Sequence, residues 1–271
     1  MDRKPKVAGQ FYPGDPFRIK DLALKLVKRP EGHNDTSPPA ILAMLPHAGY
    51  IFSGPTAGRT LARSGFEGAV LMLGPKHTGM GSKISIWDDG SWLFPGAALP
   101  VNNALARALC TADARITPDH MAHLGEHSLE VQLPLLYYLN PQINIVPIIV
   151  AETDFTVLSS LADSMCKILK SWPHRVNLLV SSDMSHYISA EQARQQDDKA
   201  IERILALDPE GLFSVVRREK ISMCGILPMT LGLLIAAQLG ATRAELIDYA
   251  NSGEVTNETE KVVGYAGMLV Y

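Results

Sequence analysis

Three histidines of this chain each sit in a turn that directly follows a short apolar run. Leu42-Ala43-Met44-Leu45 leads into Pro46-His47-Ala48-Gly49-Tyr50. Val70-Leu71-Met72-Leu73 leads into Gly74-Pro75-Lys76-His77-Thr78-Gly79. Leu178-Leu179-Val180 leads into Ser181-Ser182-Asp183-Met184-Ser185-His186-Tyr187. An apolar run closed by Gly, Pro or Ser reads as a buried strand. In open α/β sheets, ligands bind beyond the carboxyl ends of the strands. The pattern therefore aims three imidazoles and the Asp183 carboxylate at one crevice. Neutral imidazole is both a common metal ligand and the usual general base near neutral pH. A single histidine at a strand end is most often a hydrogen-bonded bystander. The recurrence of the same context at His47 and His77 weighs toward chemistry.

Asp183 precedes His186 by three residues, so on a first helical turn the two share a face. They could ligate a metal, or Asp183 could orient His186 as an acid–base. The plainer reading is that Ser182 or Asp183 caps the next helix, which is compatible with either role. Gly125-Glu126-His127-Ser128 forms a fourth cluster. A carboxylate at a helix start is favoured by the helix dipole, which accounts for Glu126 but not for His127. His120, His123, His33 and His174 fall in polar loops and receive no role.

Three cysteines are scattered, which gives neither a disulfide framework nor a paired metal knuckle. Cys110 and Cys166 lie in amphipathic stretches and read as core. Cys224 directly precedes a long apolar helix, where a helix N-terminus would lower its thiol pKa. Two histidines and one anionic ligand with open positions is the pattern of a catalytic metal site. A carboxylate as third ligand gives the facial triad of non-haem Fe(II) oxygenases, whereas a thiolate widens the choice to Fe(II), Zn(II) and copper. Zinc hydrolysis with Glu126 as base is a weaker reading, because no His-Glu-x-x-His helix is present.

The elements that must position these groups alternate. Helices are expected over 16–28, 54–63, 102–111, 126–139, 156–170, 190–205, 209–217 and 228–239. Strands are expected over 40–45, 69–73, 143–150, 176–180, 246–249 and 263–271. Ile84–Trp87 and Trp92–Phe94, separated by Asp88-Asp89-Gly90, read as a hairpin, and Pro30–Pro39 as a surface loop. Such alternation argues an α/β fold with helices on both faces of the sheet. At 271 residues the chain can bury a full core. Its net charge is −3 and it has no basic stripe, which argues against a nucleic-acid partner. The stretch Gly225–Gly240 is interrupted by Pro228, Thr230 and Gln238 and falls short of the ~20 residues that span a bilayer. With no apolar leader and unpaired cysteines, a cytoplasmic protein without membrane contact is expected.

Taken together these motifs resemble the Memo family, called AmmeMemoRadiSam system protein B in prokaryotes. The resemblance begins at Val7-Ala8-Gly9-Gln10-Phe11-Tyr12-Pro13 and runs through the four histidine motifs, including Glu126-His127-Ser128-Leu129-Glu130-Val131-Gln132-Leu133-Pro134. It continues at Met223-Cys224-Gly225 and ends at Val263-Gly264-Tyr265-Ala266. It implies one Memo-like domain over 1–271. The implied fold is a three-layer α/β/α sandwich around a mixed, largely parallel sheet, similar to class III extradiol dioxygenases. It implies metal ligands at His47, His77 and Cys224, with Cys224 where the dioxygenases place a carboxylate. His186 and Asp183 would line the same pocket as acid–base groups, with His127 as a further pocket residue. The implied metal is Fe(II), with copper or zinc as alternatives. The implied activity is a metal-dependent, dioxygenase-like oxidoreductase acting on a small molecule. The alternative is a non-catalytic module that captures a phosphorylated or carboxylated ligand or peptide in the same crevice. Partners implied by the family are AMMECR1-type and radical SAM proteins of a shared pathway. Lys76 departs from the small residue usual before the histidine. If it points inward, it would favour an anionic substrate.

Overall fold

Successive residues of the central strands fall alternately into two separate cores, so the sheet is covered on both faces. Leu42, Met44, Leu71, Leu73, Leu178 and Val180 belong to one core. Ala43, Leu45, Val70, Met72 and Leu179 belong to the other. This is the two-residue period of a strand read out as burial. The computed structural model describes residues 1–28 and 38–271, so most of the loop expected over 30–39, and His33 within it, lies outside the described residues.

In chain order the elements are α1 (Pro16–Leu26), β1 (Leu42–Leu45), α2 (Tyr50–Ser64), β2 (Ala69–Pro75), β3 (Ile84–Ile86), β4 (Ser91–Phe94), β5 (Ala97–Pro100), α3 (Asn103–Ala112), β6 (Thr117–Pro118) and α4 (Met121–Leu124). A single turn of 3-10 helix (Glu130–Gln132) leads into α5 (Leu133–Leu139). Then follow β7 (Asn144–Val150), α6 (Phe155–Ser171), β8 (Val176–Ser181), β9 (His186–Ile188), α7 (Ala190–Leu205), α8 (Pro209–Arg218), α9 (Ile226–Gln238), β10 (Ala244–Asn251), α10 (Gly253–Thr256) and β11 (Val262–Val270).

The main sheet has the order β10-β11-β1-β8-β2-β7-β3-β6, with β9 added to β11. Its centre, β1-β8-β2-β7, is parallel throughout. Antiparallel pairs flank it, β11 on β1 at one side and β3 on β7 at the other. Helices α1, α2 and α5 cover one face, and α3, α6, α7, α8 and α9 cover the other. The fold is thus a three-layer α/β/α sandwich around a mixed, largely parallel sheet, as the family resemblance implies and in keeping with the alternating sequence pattern. Register matters for function. Leu45 pairs with Ser181 and Leu73 with Val180, so β1, β8 and β2 release their loops at the same level of the sheet.

Helix starts follow their caps. Asp15 accepts from the Phe17 and Arg18 amides ahead of Pro16, and Ser189 with Gln192 closes a capping box on α7. Three expectations are corrected. Ile84–Trp87 and Trp92–Phe94 do not pair as a hairpin. β3 joins the main sheet beside β7, while β4 turns through Pro95-Gly96 onto β5. Gly96, at φ +87, makes that turn; Gly90 is also left-handed, at φ +73, but the strands on either side of it do not pair with each other. The helix expected from Glu126 begins only at Glu130, because the His127 and Ser128 amides turn back onto the Glu126 carboxylate. Neither Ser182 nor Asp183 caps a helix: residues 182–185 form a loop, and His186 opens the short strand β9.

One buried ion pair ties the N-terminus to the 123–130 segment. Arg3 is fully buried. It donates to Glu130 Oε2 at 2.7 Å, to the Glu126 carbonyl at 2.6 Å and to the His123 carbonyl at 2.9 Å, with its guanidinium over the Trp92 ring. Glu130 also accepts from the Lys6 and Val7 amides and the Tyr12 hydroxyl. Removing one partner would strand the other charge in the interior, at a cost of ~3–5 kcal/mol. Arg3→Met should therefore lower the urea midpoint by the equivalent of that loss. A drop below ~1 kcal/mol would mean that the pair does not hold this part of the fold.

Candidate metal centre

The loops leaving β1 and β2 and the segment before α9 bring His47, His77 and Cys224 together. One donor atom from each lies within 4.8 Å of the others. Two ligands each ~2.0–2.3 Å from one ion stand ~3.3–3.8 Å apart in a tetrahedral site, so the triad could close on a metal by a small side-chain adjustment. Glycines permit the approach. A Cβ on Gly225 would sit 2.3 Å from the Ser182 Cβ, and one on Gly74 would sit 2.8 Å from Leu129. Only glycine lets the Cys224 segment and the 126–129 turn close over the strand ends.

Hydrogen bonds fix which nitrogen each histidine offers. Ser181 Oγ donates its single proton to the Ser128 carbonyl at 2.6 Å. It must therefore accept from His47 Nδ1 at 2.8 Å, which leaves the lone pair on Nε2. That Nε2 lies 3.3 Å from Cys224 Sγ. Gln132 Nε2 also donates to Ser181 Oγ, at 3.2 Å, and to the Pro46 carbonyl, which buttresses the same loop. Burial, followed by the neighbouring His77 and His127, holds the His47 pKa well below its ordinary value, so the ring is neutral.

His77 is fixed by Glu126. The carboxylate accepts from the His77 amide at 2.7 Å, from His77 Nδ1 at 2.9 Å, and from the His127 and Ser128 amides at 2.9 Å each. Burial alone would raise the Glu126 pKa, but the hydrogen bond and charge of His77 and the amide donors outweigh it and hold it at about 2. Burial would likewise lower His77, but Glu126 raises it above the ordinary value. Nδ1–H thus points at the carboxylate and Nε2 faces the crevice. His77, Glu126 and His127 also lie close enough to be considered a second ligand group. The four donors already on Glu126 make it a support for His77 rather than a ligand. With four donors on it and a pKa held at about 2, Glu126 is also a poor base for a hydrolase.

The remaining expected residues gather around the same cleft, a cavity of about 570 Å³ lined in part by His47, His77, His127, Asp183 and His186. His127 stacks on His77, with ring centroids 4.8 Å apart, and packs against Phe11 at 4.9 Å. Asp183 is buried and accepts from the His47 amide at 2.7 Å, and burial raises its pKa. The expected Asp183–His186 orientation is replaced by another. His186 Nδ1 donates to the Ser222 carbonyl at 3.0 Å, and its amide donates to Ser222 Oγ. A carbonyl can only accept, so His186 also keeps its lone pair on Nε2.

Cys224 departs from the thiol expectation. Burial and then the Asp183 charge push its pKa up rather than down. Gly225, not Cys224, is the N-cap residue of α9, so whatever the helix dipole contributes is outweighed. The Asp183 amide donates to Sγ at 3.2 Å, a hydrogen bond that a thiolate would strengthen. A bound cation is what such a site needs to deprotonate the thiol. Lys76 turns away, donating to the Gly81 and Ser82 carbonyls, and so brings no charge to the cleft.

A sequence profile described as Memo-like protein matches residues 3–269. The chain belongs to the Memo family. It is 36% identical to a MEMO1 family protein of Methanopyrus kandleri over 99% of both chains. It is 38% identical to one of Aquifex aeolicus and 35% identical to one of Saccharolobus solfataricus, each over 98% of both chains. The Memo motifs read in the sequence therefore coincide with the loops that build this cleft. Among the described residues no helix is long and apolar enough to cross a membrane. Sequence reasoning assigned Glu126 to a helix dipole and passed over Ser181, Gln132 and Ser222. Glu126 and Gln132 stand inside the quoted Memo motif, so the signal was present, but their partners lie 49 and 86 residues away in the chain.

The depressed Glu126 pKa makes a pH prediction for the metal-free protein. Its folded value, about 2, lies below the ordinary 4.5. Its stabilisation is therefore complete above pH 4.5 and is lost as pH falls through about 2, on the order of 3 kcal/mol in total. Glu126→Gln should abolish this acid limb in urea unfolding, and should lower the His77 pKa seen by NMR. A wild-type-to-variant stability gap that stays constant down to about pH 3 would contradict it.

Proposed function

We propose that this Memo protein is a metal-dependent oxidoreductase that acts on a small molecule, with His47, His77 and Cys224 as the metal ligands. The observation that carries this reading is the protonation pattern. Two imidazoles from different loops have their Nδ1–H groups committed, to Ser181 and to Glu126, which leaves both Nε2 lone pairs for a metal on the cleft side. Metal-binding histidines are fixed in this way by hydrogen bonds from their other nitrogen. The family resemblance implies Fe(II) first, and two imidazoles with a thiolate would also suit copper or zinc. When bound, Fe(II) or copper would supply one-electron chemistry with dioxygen or a related oxidant. As three ligands, His47, His77 and Cys224 would leave room on the metal for a substrate or oxidant.

The other polar side chains would handle protons and orientation. His186, with Nε2 unprotonated in its neutral form, would take a proton from a bound substrate. Asp183, buried with a raised pKa, would hold or return one. His127, stacked on His77, would contact the substrate and exclude water from that flank. AMMECR1-type and radical SAM proteins, implied by the family resemblance, are proposed to belong to the same pathway. The rival reading, capture of a phosphorylated or carboxylated ligand without turnover, finds no Lys or Arg among the residues lining the cleft in the described chain.

Anaerobic Fe(II) titration should give one tight site per chain. Binding should weaken at least tenfold in Glu126→Gln and be lost in His47→Ala and Cys224→Ser. Oxygen uptake by the iron-loaded protein should then appear with some members of a small-molecule panel, and His186→Ala should slow it by about 100-fold or more without removing the metal. Tight iron binding with no uptake across the panel would favour the capture reading. Unchanged binding in the ligand variants would overturn the site itself.

A further inference from the structure

Tyr187 holds φ at +61°, the left-handed region that a bulky side chain occupies only at a cost. Three other non-glycine residues among those described, Leu207, Lys220 and Asn257, share this conformation, but only Tyr187 lines the cleft. The pairing of β9 with β11 explains how it is held. Val263 pairs with His186 and Val262 with Ile188, so Tyr187 is an extra residue with no partner on the facing strand. That is a β-bulge whose left-handed position is ordinarily given to glycine. Bulges beside active sites re-aim a side chain, and this one projects a ring that is 73% exposed at the cleft. The ring meets the His186 imidazole edge to face, with centroids 5.8 Å apart, but is otherwise largely exposed, so packing offsets little of the strain.

The rest of the lining describes what such a ring would meet. Phe11, Phe52, Val263 and Tyr265 supply aromatic and apolar wall, while His47, His77, His127 and His186 supply imidazoles and Asp183 the one carboxylate of the lining. No Lys or Arg lines the cleft among the described residues, and Lys76 is engaged by the Gly81 and Ser82 carbonyls. A phosphate or carboxylate would find no guanidinium or ammonium partner on these walls.

We propose that Tyr187 is a substrate-contacting residue, and that the cleft takes a flat, uncharged ring whose face stacks on Tyr187 and whose polar substituent is directed to the imidazoles. This inference takes the cleft of the proposed function as the binding site. It does not require that a metal be bound.

The test is fluorescence titration of the full-length protein with naphthol and with naphthyl phosphate, before and after treatment with a chelator. Wild type and Tyr187→Phe should bind naphthol within about twofold of each other. Tyr187→Gly and Tyr187→Asn, which accept the left-handed backbone, should bind it about three- to tenfold more weakly, the scale of one aromatic contact. Their melting temperatures should equal or exceed that of wild type, because strain is relieved. Naphthyl phosphate should bind less tightly than naphthol. The proposal is overturned if naphthol does not bind wild type, if it binds Tyr187→Gly and Tyr187→Asn as well as wild type, or if Tyr187→Phe loses as much as they do. It is equally overturned if the phosphate binds as tightly as the alcohol. The chelator-treated samples separate this result from the fate of the metal, since failure of Fe(II) binding leaves the naphthol comparison intact.

Discussion

The buried Glu126 carboxylate is the constraint on which the site depends. It takes four donors, two from His77 and one each from the His127 and Ser128 amides. A buried carboxylate survives only when its lone pairs are so occupied. In satisfying itself it sets the His77 tautomer, joins the end of β2 to the 126–129 turn, and places His127 beside His77. The turn is held in its own right by Arg3, which binds the Glu126 carbonyl and the Glu130 carboxylate from the N-terminal segment. A chain of buried charge thus runs from the first residues of the protein to the imidazole that faces the cleft.

The sheet does the coarser work. Three neighbouring parallel strands, β1, β8 and β2, end at one level, so the loops carrying His47, Asp183 and His77 open into the same crevice. Apolar side chains alternate into two cores and lock the register, since a shift of one residue would turn each strand inside out. The loops can then be polar and close-fitting without destabilising the whole. Gly74 and Gly225 allow that fit, and Tyr187 departs from it by placing a ring where a bulge would ordinarily carry no side chain.

Much of this was legible in the sequence. The β1, β2 and β8 runs are apolar from end to end and are bounded by Pro, Gly or Ser, which identifies both the parallel core and the loops that leave it. Gathering His47, His77, Asp183 and His186 at one crevice follows from that pattern alone. Cys224 stood apart from Cys110 and Cys166 by its place before a long apolar helix, but only the family resemblance named it a ligand. What escaped was non-local pairing. Glu126 looked like a helix start because local propensity cannot see that its donors come from residue 77. The β4–β5 hairpin was missed because Asp88-Asp89-Gly90 is as good a local turn signal as Pro95-Gly96, and pairing with β7 and β6 decided where β3 goes. Asp183 and His186 were placed on a helical turn by spacing alone, whereas pairing with β11 draws His186 into a strand. The thiol of Cys224 was expected to be acidic from its position before α9, but burial dominates.

The central claim is that Cys224 binds a metal as a thiolate together with His47 and His77. Cobalt(II) absorption spectroscopy reads this most directly, because a sulfur-to-cobalt charge-transfer band requires a metal–thiolate bond. One equivalent of Co(II) should produce that band in the wild-type protein. It should be absent in Cys224→Ser and strongly reduced in His47→Ala. A band of undiminished intensity in Cys224→Ser, or no band in the wild type at saturating Co(II), would contradict the account.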